Sequence, residues 1–371
     1  MTYTEQNLAA VAKRENNQKR GYLVVNPLQG KHLPVSPGEA FRMFDALAGL
    51  LIREYEGERL LLVGFAETAT AVGAAAAAAL GSLYIQTTRE QLRGAEYFYF
   101  SEAHSHATEQ KLVKGDLDRA AEQAGRIVFI EDEITTGNTI RNITALLEQA
   151  YPGRFVFSAA SLLNGMDADC LQAYADRGIR LHWLLKTCHE GYERLAEGYR
   201  GDGKYYRCNI NIPAISVREE RITAGYQDAR RLTDGGAYRE ACRRMGRTAL
   251  ELLKPAAEER FLVVGTEEFM YPALMLARLL EEGGHPVRCH STTRSPIAVS
   301  SEEGYPLHER YELRSLYDRE RTTYVYELAK YDRVCIVTDA QEGAEEGLHS
   351  LINALASCGN ERIHVIRWCP S

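Results

Sequence analysis

No apolar run in the 371 residues approaches the roughly 20 needed to cross a bilayer, so no membrane role is expected. The opening stretch, MTYTEQNLAAVAKRENNQKRG, is polar and lacks an apolar signal core, which makes a cytoplasmic location the expectation. Eight cysteines include no CxxC pair; Cys358 and Cys369, eleven apart, are the nearest two. Zinc-finger spacing and a dense disulfide framework are thereby excluded, leaving reduced thiols. Basic charge is not in excess either: 44 Lys and Arg stand against 51 Asp and Glu, a formal net charge of −7. With no helix-turn-helix and no basic arm, no direct nucleic-acid partner is expected. What is present is ordinary for a globular protein, 45% hydrophobic and 26% charged. The length is too great for one core and points to two domains.

Read for period, the first half alternates strands and helices. PGEAFRMFDALAGLLIREY (37–55) has helical spacing at Phe41, Phe44, Leu47, Leu50 and Leu51, with Ser36 and Pro37 suited to its start. Buried-type strands follow at 60–63, 83–86, 126–130, 155–163 and 181–185, with helices at 70–80 and 139–150. The second half repeats the order: helix 236–253, strand 261–264, helix 272–282, strands 287–290 and 333–337, helix 347–356 and strand 363–368. LLVGFAET (61–68) parallels LVVGTEEF (262–269), QTTRE (86–90) parallels STTRS (291–295), and GRIVFIEDE (125–133) parallels DRVCIVTDA (332–340). The expectation is α/β: two doubly wound, mostly parallel-sheet domains, the second a degenerate duplicate of the first. The divisions expected are a polar segment 1–20, a first domain 21–205 and a second domain 206–371. The duplication leaves either a homodimer or an intramolecular pseudo-dimer open.

The chemistry concentrates in IEDEITTGNT (130–139). Ligands of open α/β sheets sit at the carboxyl ends of strands. A loop there with Thr135, Thr136, Gly137, Asn138 and Thr139 that opens a helix suits a phosphate, which backbone N–H groups, the helix N-terminus and hydroxyls would bind. Gly137 lets the backbone approach closely. Glu131 and Asp132 would repel a phosphate unless they meet ribose hydroxyls or Mg²⁺; the plain alternative is an acidic turn at a helix start.

The apolar strand, two acids and Thr/Gly-rich loop resemble the signature of type I phosphoribosyltransferases. The resemblance is closer still to a bacterial family that joins an orotate-phosphoribosyltransferase-like domain to a domain named for a Thr-Arg-Ser-Pro motif. That motif stands here at Thr293, Arg294, Ser295 and Pro296, and NPLQGKHLPV (26–35) and EAHSHATEQ (102–110) resemble segments of the family's first domain. The resemblance implies a Mg²⁺-dependent pentosyltransferase whose partners are 5-phosphoribosyl-1-pyrophosphate, pyrophosphate and a base-like small molecule, within stress-response gene clusters associated with tellurite resistance. It implies that Glu131 and Asp132 hold the ribose hydroxyls and, largely through substrate and water, the metal. The loop 135–139 would hold the 5-phosphate. The turn carrying Glu67, Thr68, Ala69 and Thr70 would hold pyrophosphate, although on its own residues it is equally a plain strand–helix connection. Arg89 would pair with pyrophosphate oxygens, and His104 and His106 would sit on a mobile loop and assist the leaving group or the base. Lys31, His32 and Asn164 are weaker candidates for contact with the base.

At the matching place the second half reads TDAQEGAEE (338–346), where Glu342, Glu345 and Glu346 would repel a 5-phosphate. Glu267, Glu268, Thr293, Arg294 and Asp339 should still meet at one sheet edge, either as a site for another ligand or as a structural remnant. Two rivals to a transferase stay open: a non-catalytic sensor of phosphoribosyl pyrophosphate or nucleotide, and a related hydrolase or reverse-running transferase.

Overall fold

The computed structural model describes residues 2–15, 20–100, 110–211, 214–341 and 345–370. They form two compact units, each discontinuous in sequence. The first comprises Met1–Thr4, Phe41–His189 and Gln227–Glu240; the second comprises Glu5–Ala40, Glu190–Tyr226 and Ala241–Ser371. These are not the two consecutive stretches 21–205 and 206–371 of the sequence reading. Pairings distant in sequence make the difference. Residues 5–40 belong to the second unit, where Val35 and Cys289 exchange backbone hydrogen bonds of 2.9 and 2.8 Å. Residues 227–240 belong to the first, where Thr233–Asp234 pairs with Leu83–Gln86.

The first unit is built on a six-stranded sheet in the order Thr233–Asp234, Leu83–Gln86, Leu60–Gly64, Arg126–Ile134, Val156–Asn164, Arg180–Lys186. All neighbours run parallel except the short first strand. Leu60–Gly64 is buried throughout, as a central parallel strand covered on both faces must be. The helix Thr70–Leu80 is Ala-rich because it lies tight on that strand: a Cβ at Gly73 would come within 3.0 Å of Gly64 Cα and of the Tyr84 ring. A separate antiparallel pair, Tyr97–Phe100 with Gln110–Val113, flanks positions 101–109.

The second unit has a five-stranded, wholly parallel sheet in the order Ser216–Ile222, Arg362–Trp368, Arg333–Thr338, Phe261–Gly265, Val287–Ser291. Four of its strands follow the order of the four in the first sheet that run from Leu83–Gln86 to Val156–Asn164, which is compatible with a duplicated fold. The fifth is supplied from before the repeat, by Ser216–Ile222, whereas the first sheet takes its fifth parallel strand from after it. One apolar cluster packs Leu348, Leu351 and Leu355 of the helix Glu345–Ser357 against Val334, Ile336 and Val365. Another joins Ala12 and Val25 of a short antiparallel pair to Ile297, Val299 and Tyr305.

Candidate functional site

The strand Arg126–Ile134 runs farther than the sequence suggested. Glu131, Glu133 and Ile134 keep their pairing with Ser161, Leu163 and Asn164, so the three acids lie on the strand's carboxyl end and not in the loop. The loop proper is Thr135, Thr136 and Gly137, and the helix begins at Asn138. Gly137 adopts φ +67°, and a Cβ there would meet Tyr174 Oη at 2.3 Å and Met166 Cε at 2.5 Å. Only glycine suits both the conformation and the space. The Tyr174 hydroxyl donates to the Gly137 carbonyl at 2.6 Å, an oxygen that also accepts from Arg141 N–H at 3.0 Å. The first turn of the helix Asn138–Ala150 carries no acid, so its leading N–H groups keep their positive potential.

The turn after Leu60–Gly64 is fixed from several sides. Phe65 N–H donates to Ile130 O at 3.0 Å, and Ala66 N–H to Thr87 Oγ1 at 2.8 Å. The peptide bond between Ala66 and Glu67 is cis. Thr70 is buried and its hydroxyl donates to Glu67 O at 3.0 Å, so this side chain shapes the turn from within. Ala69, also buried, ends the turn as the residue before the helix. Thr68 is the half-buried member, and its hydroxyl donates to Asp132 Oδ1 at 2.7 Å. That bond joins the expected pyrophosphate turn to the expected ribose acid.

Burial pushes the Asp132 carboxyl above the ordinary range; the Thr68 bond opposes this, and the neighbouring Glu133 charge adds to it. Beside it, Glu133 approaches His189 Nε2 at 3.4 Å, and that ring also meets Thr187 Oγ1 at 2.9 Å. Arg89 is half-buried, directly after the buried pair Thr87 and Thr88, at the end of the next strand. His104 and His106 lie in 101–109, outside the described residues. Asn164 is fully buried at the end of its strand; Oδ1 accepts from Met166 N–H at 3.1 Å, and Nδ2 is a buried donor with no partner among the described residues.

Among the described residues, no group of three or more His, Cys, Asp or Glu side chains could hold a metal ion. Two adjacent carboxylates suit a Mg²⁺ held mainly by phosphate oxygens and water, and a nearby cation would offset the burial that disfavours charge on Asp132. Tyr174, Arg141 and His189 escaped the sequence reading. Tyr174 lies 37 positions from the carbonyl it holds, and no local pattern marks it.

The corresponding edge of the second unit gathers the expected residues but fills itself. Glu267, with φ +47°, is fully buried. Its carboxylate accepts from Arg294 Nε at 2.8 Å, Arg321 Nη1 at 3.0 Å and Ser315 Oγ at 2.5 Å, while Arg294 Nη2 reaches Glu268 Oε1 at 3.0 Å. The buried Lys31, read from sequence as a base contact, donates to the carbonyls of Glu267 and Thr292 at 2.8 Å each. His32 packs edge-on against Tyr326, also in the second unit. Thr293 exchanges backbone bonds with Tyr324, and its hydroxyl accepts from Ser295 N–H at 3.2 Å. Asp339 accepts from Tyr317 Oη at 2.7 Å and from Tyr226 Oη at 3.2 Å.

A family model described as phosphoribosyl transferase matches residues 8–187, and a model of the TRSP domain, C-terminal to that transferase, matches residues 233–355. Similar solved structures include adenine phosphoribosyltransferases. That of Trypanosoma brucei, in complex with AMP, pyrophosphate and ribose-5-phosphate, is 13% identical, with 48% of this chain and 76% of that chain covered and a TM-score of 0.35. That of Rhodothermus marinus is 16% identical, with 49% and 96% covered and a TM-score of 0.35. No curated protein matches the chain.

Proposed function

The chain belongs to the family that joins a phosphoribosyl transferase domain to a C-terminal TRSP domain, and we propose that its first unit is a Mg²⁺-dependent phosphoribosyltransferase. The substrate in this reading is 5-phosphoribosyl-1-pyrophosphate, and the acceptor is a ring nitrogen of a base or base-like molecule. One observation carries the proposal. The Thr68–Asp132 bond ties the turn after one strand to the acidic end of its neighbour, which opens directly into the Gly137 loop. Pyrophosphate, ribose and 5-phosphate need those three groups of donors and acceptors side by side.

In the reaction the acceptor nitrogen forms a bond to ribose C1 as the bond from C1 to the pyrophosphate oxygen breaks, through an oxocarbenium-like transition state. Glu131 and Asp132 accept hydrogen bonds from the ribose hydroxyls. Thr135, Thr136, Asn138, Thr139 and the leading N–H groups of the helix bind the 5-phosphate. Thr68 and the backbone of 66–69 face the leaving pyrophosphate, with Arg89 as its cation. Mg²⁺, held through Glu131, Asp132 and water, would supply positive charge for the pyrophosphate. No nucleophile-base triad is required, because the acceptor is itself the nucleophile, and the proton its ring nitrogen gives up passes to the departing pyrophosphate or to water.

The test is consumption of 5-phosphoribosyl-1-pyrophosphate and release of pyrophosphate, with Mg²⁺, across a panel of bases and amines, beside calorimetric binding of the same compound. Wild type should turn over with at least one acceptor, and Asp132→Asn should lose activity by about a hundredfold or more, the scale of losing a charge-specific contact in a reacting complex. Binding without turnover on any acceptor would favour the non-catalytic sensor. Failure to bind would end the phosphoribosyl reading.

A further inference from the structure

From Glu131 to Gly137 the chain carries three carboxylates and no cation, a poor electrostatic setting for a phosphate dianion even where backbone N–H groups face it. The first cation after the loop is Arg141, one turn into the helix Asn138–Ala150. Its position is unfavourable on local grounds, since cations are stabilised at the other end of a helix. Among the described residues no carboxylate pairs with it. Its guanidinium instead donates to Asn138 Oδ1, and its backbone N–H donates to Gly137 O at 3.0 Å. Helical side chains lean toward the N-terminus, which carries this guanidinium back over the loop. Arginine has donors only, so it fixes the Asn138 amide with its oxygen toward Arg141 and its NH₂ group turned away. A half-exposed cation and two oriented amide hydrogens then stand where the loop itself offers no charge.

We infer that Arg141 binds the phosphate of the phosphoribosyl group, supplying the charge the loop lacks and orienting Asn138 as a second donor. The inference rests on the phosphoribosyl reading of this site and adds to it a selectivity for the phosphate dianion over unphosphorylated ribose.

The full-length protein, as wild type, Arg141→Gln and Arg141→Lys, is titrated calorimetrically with ribose 5-phosphate and separately with magnesium pyrophosphate. Titrations run on both sides of about pH 6, where a phosphate monoester loses its second proton. Wild type should bind ribose 5-phosphate more tightly as the dianion forms. Arg141→Gln should weaken that ligand about tenfold or more, the order of one charge-assisted hydrogen bond, and flatten the pH dependence. Arg141→Lys should recover most of the affinity, and pyrophosphate binding should not change in any variant. Arg141→Gln binding ribose 5-phosphate like wild type would overturn the inference. So would equal weakening of both ligands in both variants, which marks a structural role. A wild type that binds neither ligand would instead bring down the phosphoribosyl reading, and this inference with it.

Discussion

At the scale of single residues, the phosphate loop depends on what stands behind it. Gly137 combines φ +67° with Tyr174 Oη and Met166 Cε lying where a Cβ would go. Gly137→Ala therefore meets the left-handed penalty of about 1–2 kcal/mol and a collision that only movement of the loop or of Tyr174 can relieve. The expected outcome is a modest loss of stability in denaturant melts together with loss of ribose 5-phosphate binding in calorimetry. A Gly137→Ala protein that binds with wild-type affinity would show that the loop's shape is not set by this contact. Tyr174 itself sits in a helix, Ala168–Asp176, whose sequence carries no phosphate signature. Sequence reasoning found the loop because its chemistry is contiguous; it missed the support because that support arrives from another element.

At the scale of elements, Asp116 shows how a segment from late in the chain is held on the first sheet. Its carboxylate is buried and accepts from Arg231 Nε at 2.6 Å, Arg231 Nη2 at 3.2 Å, Leu232 N–H at 3.1 Å and Arg119. Burial alone would raise its pKa; the bonds from Arg231, Arg119 and Leu232 outweigh burial and hold it below the ordinary value. A carboxylate depressed in the folded state contributes stability that is complete above its unfolded pKa of about 3.9 and is lost as pH falls through the folded value. Asp116→Asn should cost about 1–3 kcal/mol at neutral pH and should lose less stability than wild type on acidification below about pH 4. Parallel pH–stability curves would refute that role. The central strands and the helices beside them were legible because each is a buried apolar run or a helical repeat, whereas Ser216–Ile222, SVREERI, was not, being charged and largely exposed. The assignment of 5–40 and 227–240 was not, since it rests on pairings such as Val35 with Cys289 and Thr233 with Tyr84 that local spacing cannot express. The strand end at Ile134 was missed for a related reason: three consecutive acids read as loop, whereas the ladder to Ser161, Leu163 and Asn164 keeps them extended.

At the scale of the whole molecule, four strands in each of the two sheets share an order, yet the sheets differ at the edge that matters. The first presents carboxylates and a Thr/Gly loop that opens a helix with no acid in its first turn, its Asn138 N–H donating to Thr136 Oγ1 at 3.4 Å. The second has its acidic side chains already engaged. Glu267 is neutralised by Arg294 and Arg321, and Asp339 is bonded by two tyrosines. A phosphate entering there would have to break an ion pair whose side chains are buried or nearly so, leaving Glu267 with one cation fewer, a loss that costs about 3–5 kcal/mol when a buried charge is uncovered. On that ground Arg294, though it lies in the Thr-Arg-Ser-Pro motif, is expected to serve as a structural cation, and ribose 5-phosphate should bind at one site per chain. Calorimetric stoichiometry checks this directly. Wild type should saturate at one equivalent, Asp132→Asn should remove most of that heat, and Arg294→Met should lower stability while leaving the stoichiometry at one. Two equivalents in wild type, with the second lost in Arg294→Met, would instead make the second edge a ligand site and its ion pairs a resting state that the ligand displaces.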